Sequence, residues 1–284
     1  MLGIITVEAT EQPEPQPIVA WWSFSKTVIA AAALVLVDRG KLALDELVPH
    51  APYTLRQLLQ HTSGLPDYGP NPEYHRAVDA GEPAWTVDEL LRRVDPAALW
   101  FAPGTRFSYS NIGYLFVRQI VERAADADLS DALRTLVFNP LGIEGTRVAS
   151  TADEFDAIVW RNERRYDPRW VYHGCVIGSL PAAATWLHRL MHDGLLAPAT
   201  KAAMLVARSY DPEVKAPANS GYGLGIMIEP VRPGERFAGH AGGGPGSTVT
   251  VFSALTAKRT FAAAAGTDAP DTFPKMINHL RTLF

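Results

Sequence analysis

The sequence holds one cysteine, Cys175, in 284 residues. That count excludes an internal disulfide and a CxxC or CxxH metal pair, and it leaves the redox compartment unconstrained. Eight histidines are present, yet no two stand in an HExxH arrangement, so no metal is expected from motif. Basic charge is not in excess either: 26 Lys and Arg against 30 Asp and Glu give a net charge of −4, which excludes a basic grip on nucleic acid. Long apolar runs are missing. The longest, Val28 to Val37 (VIAAAALVLV), has ten residues, half of the ~20 that a spanning helix needs. It reads as a buried core helix, and no membrane partner is expected. The opening stretch, MLGIITVEATEQPEPQPIVAWW, has no basic region, is broken by prolines and carries three glutamates. It does not read as a secretory signal, and a cytoplasmic location is expected.

What is present is an ordinary globular composition, with 47% apolar residues, in a chain long enough for one large or two-lobed domain at ~150 residues per domain. Gly3 to Val7 and Pro17 to Trp22 are β-type runs separated by a Pro-rich turn. Ser23 to Arg39 switches to Ala, Leu, Val and Ile and stops at Gly40, as a long buried helix does. Residues 53 to 200 are mostly helical in pattern: TLRQLLQH, then TVDELLRRV with Thr86 as N-cap and Glu89 at the capping-box position, then GYLFVRQIVERAA and SDALRTLVFNPLG. From Gly221 the character returns to β, in YGLGIMIEP, RFAGHAGG, STVTVFSA and RTFAAAAG, and a closing helix is expected over Asp271 to Leu283. Periodicity by itself gives only mixed α and β.

Three local patterns carry chemistry. Ser23-Phe24-Ser25-Lys26 sets a hydroxyl and an amine one helical turn apart, with Ser23 at a helix N-terminus where developing negative charge is favoured. S-x-x-K alone is weak, because Ser and Lys near ~6–7% each produce it about once per chain of this size. The wholly apolar helix after Lys26 strengthens it, since a buried lysine needs a reason. Phe107-Ser108-Tyr109-Ser110-Asn111 follows a Pro-Gly turn; Tyr109 can relay a proton and Asn111 can hold an amide or carbonyl, although a capping turn with a packed tyrosine gives the same pattern. Gly239-His240-Ala241-Gly242-Gly243-Gly244-Pro245-Gly246 lies between two β runs. Its glycines let a substrate approach the backbone and free N–H groups to face an oxyanion, while the plain alternative is a flexible hairpin connection with an incidental histidine.

In this order the three patterns resemble the serine β-lactamase and penicillin-binding protein superfamily, whose motifs are S-x-x-K, then S-x-N or Y-x-N, then K-T-G. Tyrosine in the second and His-x-Gly in the third are similar to the class C β-lactamase branch, with its carboxylesterases and D-amino-acid peptidases. GKLALDE, LRQLLQHTSGLP, PGTRFSYSNIGY, PLGIEGT and YGLG look like the family's framework, over residues 20 to 265. The resemblance implies an α+β fold: an antiparallel sheet flanked by helices, a sheet lobe from residues 1–50 and 200–284, an all-helical lobe from 51–199, and the site in the cleft between them. It makes Ser23 the nucleophile, Lys26 its proton acceptor, and Tyr109 the group that activates Ser23 or the deacylating water and protonates the leaving group. Asn111 and His240 would contact substrate, Gly242 would end the third motif, and the N–H groups of Ser23 and Gly243 would form the oxyanion hole.

The implied reaction is acylation of Ser23 followed by hydrolysis, without cofactor, on a small ester, amide or lactam. Three departures shade that expectation. Only 22 residues precede Ser23, so a shortened sheet edge or a truncated N-terminus is expected. Gly178 to Ala183 lacks the family's Asp, which puts local capping in question. Histidine replaces the third-motif lysine and is less firmly cationic at pH 7, which favours esters over carboxylate-bearing lactams and peptides. An esterase or amide hydrolase of small acyl compounds is therefore expected ahead of a β-lactamase, a D-peptidase or a non-catalytic ligand-binding relative. Trp21 and Trp22 are either pocket lining or core, and His61 reads as a structural histidine at a helix end. Nothing in the sequence speaks to oligomeric state.

Overall fold

The computed structural model describes residues 3–7, 16–160, 166–214, 216, 218–232, 235–255 and 261–268. The helix expected over Asp271 to Leu283 lies outside these residues. Ten strands run in chain order as β1 Gly3–Val7, β2 Ile18–Ala20, β3 Arg147–Ala149, β4 Cys175–Ser179, β5 Arg208–Ser209, β6 Gly221–Tyr222, β7 Met227–Arg232, β8 Glu235–Gly244, β9 Ser247–Leu255 and β10 Ala262–Thr267. The helices are α1 Ser25–Asp38, α2 Leu55–Leu59, α3 Pro72–Asp79, α4 Val87–Val94, α5 Asn111–Ala125, α6 Leu129–Leu133, α7 Ala152–Asp156, α8 Leu180–His192 and α9 Pro198–Met204.

Seven strands form one sheet in the order β1-β10-β9-β8-β7-β6-β5, and three form a second in the order β2-β4-β3. Every pairing is antiparallel. β1 from the start of the chain pairs with β10 near its end, Gly3 opposite Gly266. The two opening β runs thus enter different sheets, because β2 pairs with β4. The second sheet escaped the sequence reading for a physical reason: β3 is three residues long, and β4 is buried over Cys175–Gly178, so neither displays alternation.

The centre of the core is α1, in which every residue from Ser25 to Leu36 is buried. Its alanines allow a close approach: a Cβ on Gly225 would lie 2.2 Å from that of Ala30, and the Thr27 hydroxyl donates to the Gly225 carbonyl at 2.7 Å. Just past the helix end stands Gly40, whose φ of +67° lets Lys41 N–H reach back to the Leu36 carbonyl at 2.9 Å. α8, inside the stretch assigned by sequence to the helical lobe, packs on β1, β9 and β10. Its N-terminus is capped by Ser179, which accepts from Ala182 N–H at 3.1 Å, so capping does not need the missing Asp. At α4 the cap is Thr86, as expected, but the Glu89 carboxylate goes to Arg93 and Arg92. The run expected as one helix from Ser130 divides into α6, a π turn over Arg134–Phe138 and a 3-10 turn over Asn139–Leu141.

Candidate active site

Ser23 sits in a 3-10 turn, Trp22–Phe24, that leads from β2 into α1. Trp21 and Trp22, expected to continue the strand, are therefore bent out of it. Trp22 adopts a left-handed backbone, φ +45°, which is costly for a bulky residue and is held only by its surroundings. Its indole N–H donates to Ser247 Oγ at 3.0 Å, and its ring occupies the space beside Gly244, where a Cβ would lie 2.4 Å away. The turn is clamped to β4, since Trp21 N–H donates to the Val176 carbonyl at 2.8 Å and Ser25 Oγ accepts from Val176 N–H at 2.9 Å. Ser25 is thus a structural hydroxyl.

The glycine-rich third motif is strand, not loop. β8 runs through Gly244, and only Pro245 and Gly246 turn the chain into β9. Alternation sets His240, Gly242 and Gly244 on one face. A Cβ on Gly242 would lie 2.6 Å from Ser23 N and 2.7 Å from the Trp21 carbonyl, so this position seats the nucleophile's turn directly on the strand. Gly243 is exposed, and it faces Thr248 in a pair one step from the two-residue turn. The alternation of an antiparallel ladder then turns its N–H away from β9.

Lys26 is fully buried, with Nζ 3.2 Å from Ser23 Oγ and 2.8 Å from Asn111 Oδ1. Burial lowers its pKa to about 7, against the raising effect of Asp67 and of Cys175. Asn111 opens α5 under the Ser110 cap, where Ser110 Oγ accepts from Gly113 N–H at 3.0 Å and donates to the Pro66 carbonyl at 2.8 Å. Asp67 fixes the amide: its carboxylate accepts from Asn111 N–H at 2.8 Å and from Nδ2 at 3.2 Å. With Nδ2 so committed, Oδ1 is turned to Lys26. Tyr109 hydrogen-bonds Ser23, its pKa is raised by burial, and its ring centroid lies 5.0 Å from Lys26 Nζ.

The structure thus brings Ser23, Lys26, Tyr109 and Asn111 together. His240 stands apart in chemical character. It is buried, its Nδ1 lies 2.5 Å from the Ala241 carbonyl and its Nε2 2.8 Å from Tyr222 Oη. Nδ1–H therefore donates and Nε2 accepts, the ring is neutral, and burial lowers its pKa to about 3. It offers a substrate neither a cation nor a free polar atom. His61, as expected, is structural: it sits just beyond α2 with φ +56°, and its Nδ1 accepts from Ser110 N–H at 3.1 Å.

Asp67 and His173 were missed by sequence reasoning. Asp67 follows HTSGLP directly, which is the signal that was there to use. A cleft of about 130 Å³ opens at Ser23, walled by Trp22, Tyr68, Tyr74, Tyr166 and Trp170. A larger cavity of about 570 Å³ is lined by Tyr109 together with Phe107, Tyr210, Tyr222 and Glu229. Arg106 borders it too, but is paired with Asp211 at 2.7 Å and Glu213 at 3.6 Å. Among the described residues no cluster of three or more His, Cys, Asp or Glu could hold a metal ion, and no helix is long and apolar enough to cross a membrane.

An antiparallel sheet with helices packed against it and a Ser-Tyr-Asn constellation around a buried lysine define a class, and the comparisons agree: the Beta-lactamase family model matches residues 4–280. The chain belongs to the Beta-lactamase family. It is 34% identical over 137 residues to Penicillin-binding protein 4* of Bacillus subtilis, covering 44% of this chain and 29% of that one. To Esterase EstB of Burkholderia gladioli it is 33% identical over 162 residues, covering 49% and 41%. The chain therefore matches well under half the length of these relatives. In fold it is similar to the D-amino acid amidase of Ochrobactrum anthropi SV3, with a TM-score of 0.78, 20% identity, and 99% and 93% of the two chains covered.

Proposed function

We propose that the protein is a serine hydrolase that acts through a covalent acyl-enzyme on Ser23, as an esterase or amide hydrolase of small acyl compounds. The observation that carries this is a fully buried lysine with its amine 3.2 Å from a serine hydroxyl and a pKa of about 7. At neutral pH about half of such amines are free bases, and a free base at that distance can take the Ser23 proton as Oγ attacks the acyl carbon. Ser23 N–H and the outward N–H of Gly243 would hold the oxyanion. Collapse of the tetrahedral intermediate breaks the bond to the leaving group. The proton passes from Lys26 through Tyr109 to that group, and Lys26 is neutral again. Water then attacks the ester, Lys26 takes its proton, and the proton returns to Ser23 as the acid leaves. Tyr109, with its pKa raised, works as a neutral phenol that passes protons and not as a standing phenolate base.

The two cavities divide the substrate. Ser23 lines the smaller, aromatic cleft, which suits a short acyl group, and Tyr109 borders the larger cavity, which would take the leaving group it protonates. With His240 neutral and Arg106 paired with carboxylates, no unpaired cation other than Lys26 stands at the site among the described residues to anchor a substrate carboxylate. That favours esters and simple amides over β-lactams or peptides ending in a carboxylate. The likeness to an esterase and a D-amino acid amidase fits this range.

The test is a pre-steady-state trace with p-nitrophenyl butyrate. A burst of about one equivalent that vanishes in Ser23→Ala is expected. No burst and no turnover in either protein would sink the esterase reading in favour of a narrow amidase or a non-catalytic relative. Nitrocefin turnover well above that of Ser23→Ala would promote the β-lactamase alternative.

A further inference from the structure

His173 comes from no motif, and the steps above assign it nothing, yet it is buried against the base. Its two ring nitrogens lie 3.4 and 3.3 Å from Lys26 Nζ. A point that close to both nitrogens and in the plane of the ring would overlap Cε1 or the Cγ–Cδ2 bond. Nζ therefore lies over the ring face, where neither in-plane lone pair nor N–H points. The ring also hydrogen-bonds the Trp22 backbone, beside the nucleophile, and its own pKa is held well below the usual histidine value by burial and by Lys26. It is thus a neutral aromatic plate, 2% exposed, tied to the nucleophile's turn on one side and laid over the amine on the other.

We propose that His173 is a positioning residue for Lys26: its imidazole face caps the amine, holds Nζ between Ser23 Oγ and Asn111 Oδ1, and keeps water from it. This rests on the reading of Lys26 as the base. The other groups that face the amine are Asp67 from the loop before α3, Cys175 on β4, Ser23, Asn111, and the rings of Tyr109 and Tyr114 at 5.0 and 5.7 Å, with neutral His61 and His240 further off. None of these is changed by substitution at 173. Removing the plate admits water to one side of Nζ, which favours the ammonium and raises its pKa. An aromatic ring without nitrogens preserves both the packing and the exclusion of water.

The experiment is an NMR titration of the whole protein labelled at lysine 13Cε, following the resonance that titrates near neutrality and is lost in Lys26→Met. His173→Ala and His173→Asn should each move its midpoint up by about one unit, a tenfold change in protonation. His173→Phe should bring it back to within a few tenths, and the acid limb of kcat/KM should move with it. Either polar or small variant suffices if the other fails to fold. A midpoint that stays near 7 in both overturns the proposal. So does a His173→Phe midpoint displaced as far as that of His173→Ala, which would assign the effect to a ring nitrogen. A wild-type midpoint near the ordinary lysine value would instead strike the base assignment itself, and the proposal with it.

Discussion

Tyr109 neighbours two buried nitrogen groups that burial treats alike and hydrogen bonding treats differently. On one flank Lys26 loses its usual cationic character, with a pKa of about 7, and its amine faces Ser23 Oγ, a group with a proton to give. On the other flank His240 is driven lower still, to about 3, but both of its nitrogens are occupied, by Ala241 and Tyr222. Neutrality alone does not make a base. A buried nitrogen does chemistry where its lone pair meets a reactive partner, and becomes scaffold where the fold has already satisfied it.

The sharpest test of that contrast is at Lys26. Lys26→Met should reduce turnover of p-nitrophenyl butyrate by at least ~10³-fold, as expected for loss of a general base beside its nucleophile. It should also stabilise the fold. The folded pKa of Lys26 lies near 7 and its unfolded value near 10.5, so between these values the unfolded chain binds a proton that the folded one does not. Stability of the wild type then rises with pH across this window, and the penalty is fully present below pH 7. The melting temperature of Lys26→Met should exceed that of the wild type most at pH 6 and least at pH 10. An unchanged gap would mean that Lys26 is not the group that pays for burial. In the wild type, kcat/KM should climb through pH 7 as the amine loses its proton, with no second limb near pH 3 that belongs to His240.

Tyr109→Phe comes next. If the phenol passes the proton to the leaving group, the loss should be large, ~10²-fold, for an alkyl ester or an amide and small for p-nitrophenolate, which leaves without protonation. Equal losses across leaving groups would confine Tyr109 to packing. The same series tests the two cavities. Lengthening the acyl chain beyond about four carbons should cost kcat/KM, because the cleft at Ser23 is about 130 Å³. Enlarging the alcohol should cost little, given about 570 Å³ in the cavity that Tyr109 lines.

How much of this was legible in the sequence follows from how local each feature is. Ser23 and Lys26 are three residues apart at the entry to α1, and Tyr109 and Asn111 share one capped turn, so each pair is a short pattern, weak alone, that becomes readable through the family resemblance. Gly242 ends the third motif by resemblance, and the structure adds why no side chain fits there: Ser23 N stands 2.6 Å from the missing Cβ. The antiparallel arrangement of the strands over residues 221–267 is implied only by the resemblance, but their β character, the long buried helix and the cap at Thr86 follow from periodicity and turn chemistry. Asp67 and His173 do not. They reach the site from separate loops, 41 and 147 positions from Lys26, and only the folded chain sets one on Asn111 and the other on Nζ. The strand through His240 is legible in part, since RFAGHAGG reads as β, but its glycines, which ordinarily mark loops and are retained there for close approach, also give the stretch a loop reading.

Asp67→Asn gives a smaller effect. Asp67 acts on Lys26 twice: its charge favours the ammonium, and its two hydrogen bonds aim the Asn111 amide so that Oδ1 accepts from Nζ. The amide variant removes the charge, which lowers the Lys26 pKa further and moves the acid limb of kcat/KM down. It also lets the Asn111 amide turn, which loosens Nζ and lowers the plateau, by about tenfold on the scale of lost outer-shell partners. The two effects separate in one pH profile: the limb moves left and the plateau drops. A drop with a fixed limb would make Asp67 purely an orienting group. The mirror-image variant on the other flank, Tyr222→Phe, frees His240 Nε2 but leaves the ring buried and without a reactive neighbour. It should change the plateau by less than about threefold and leave the limb where it is, because a vacant lone pair becomes a base only when a proton donor stands opposite it.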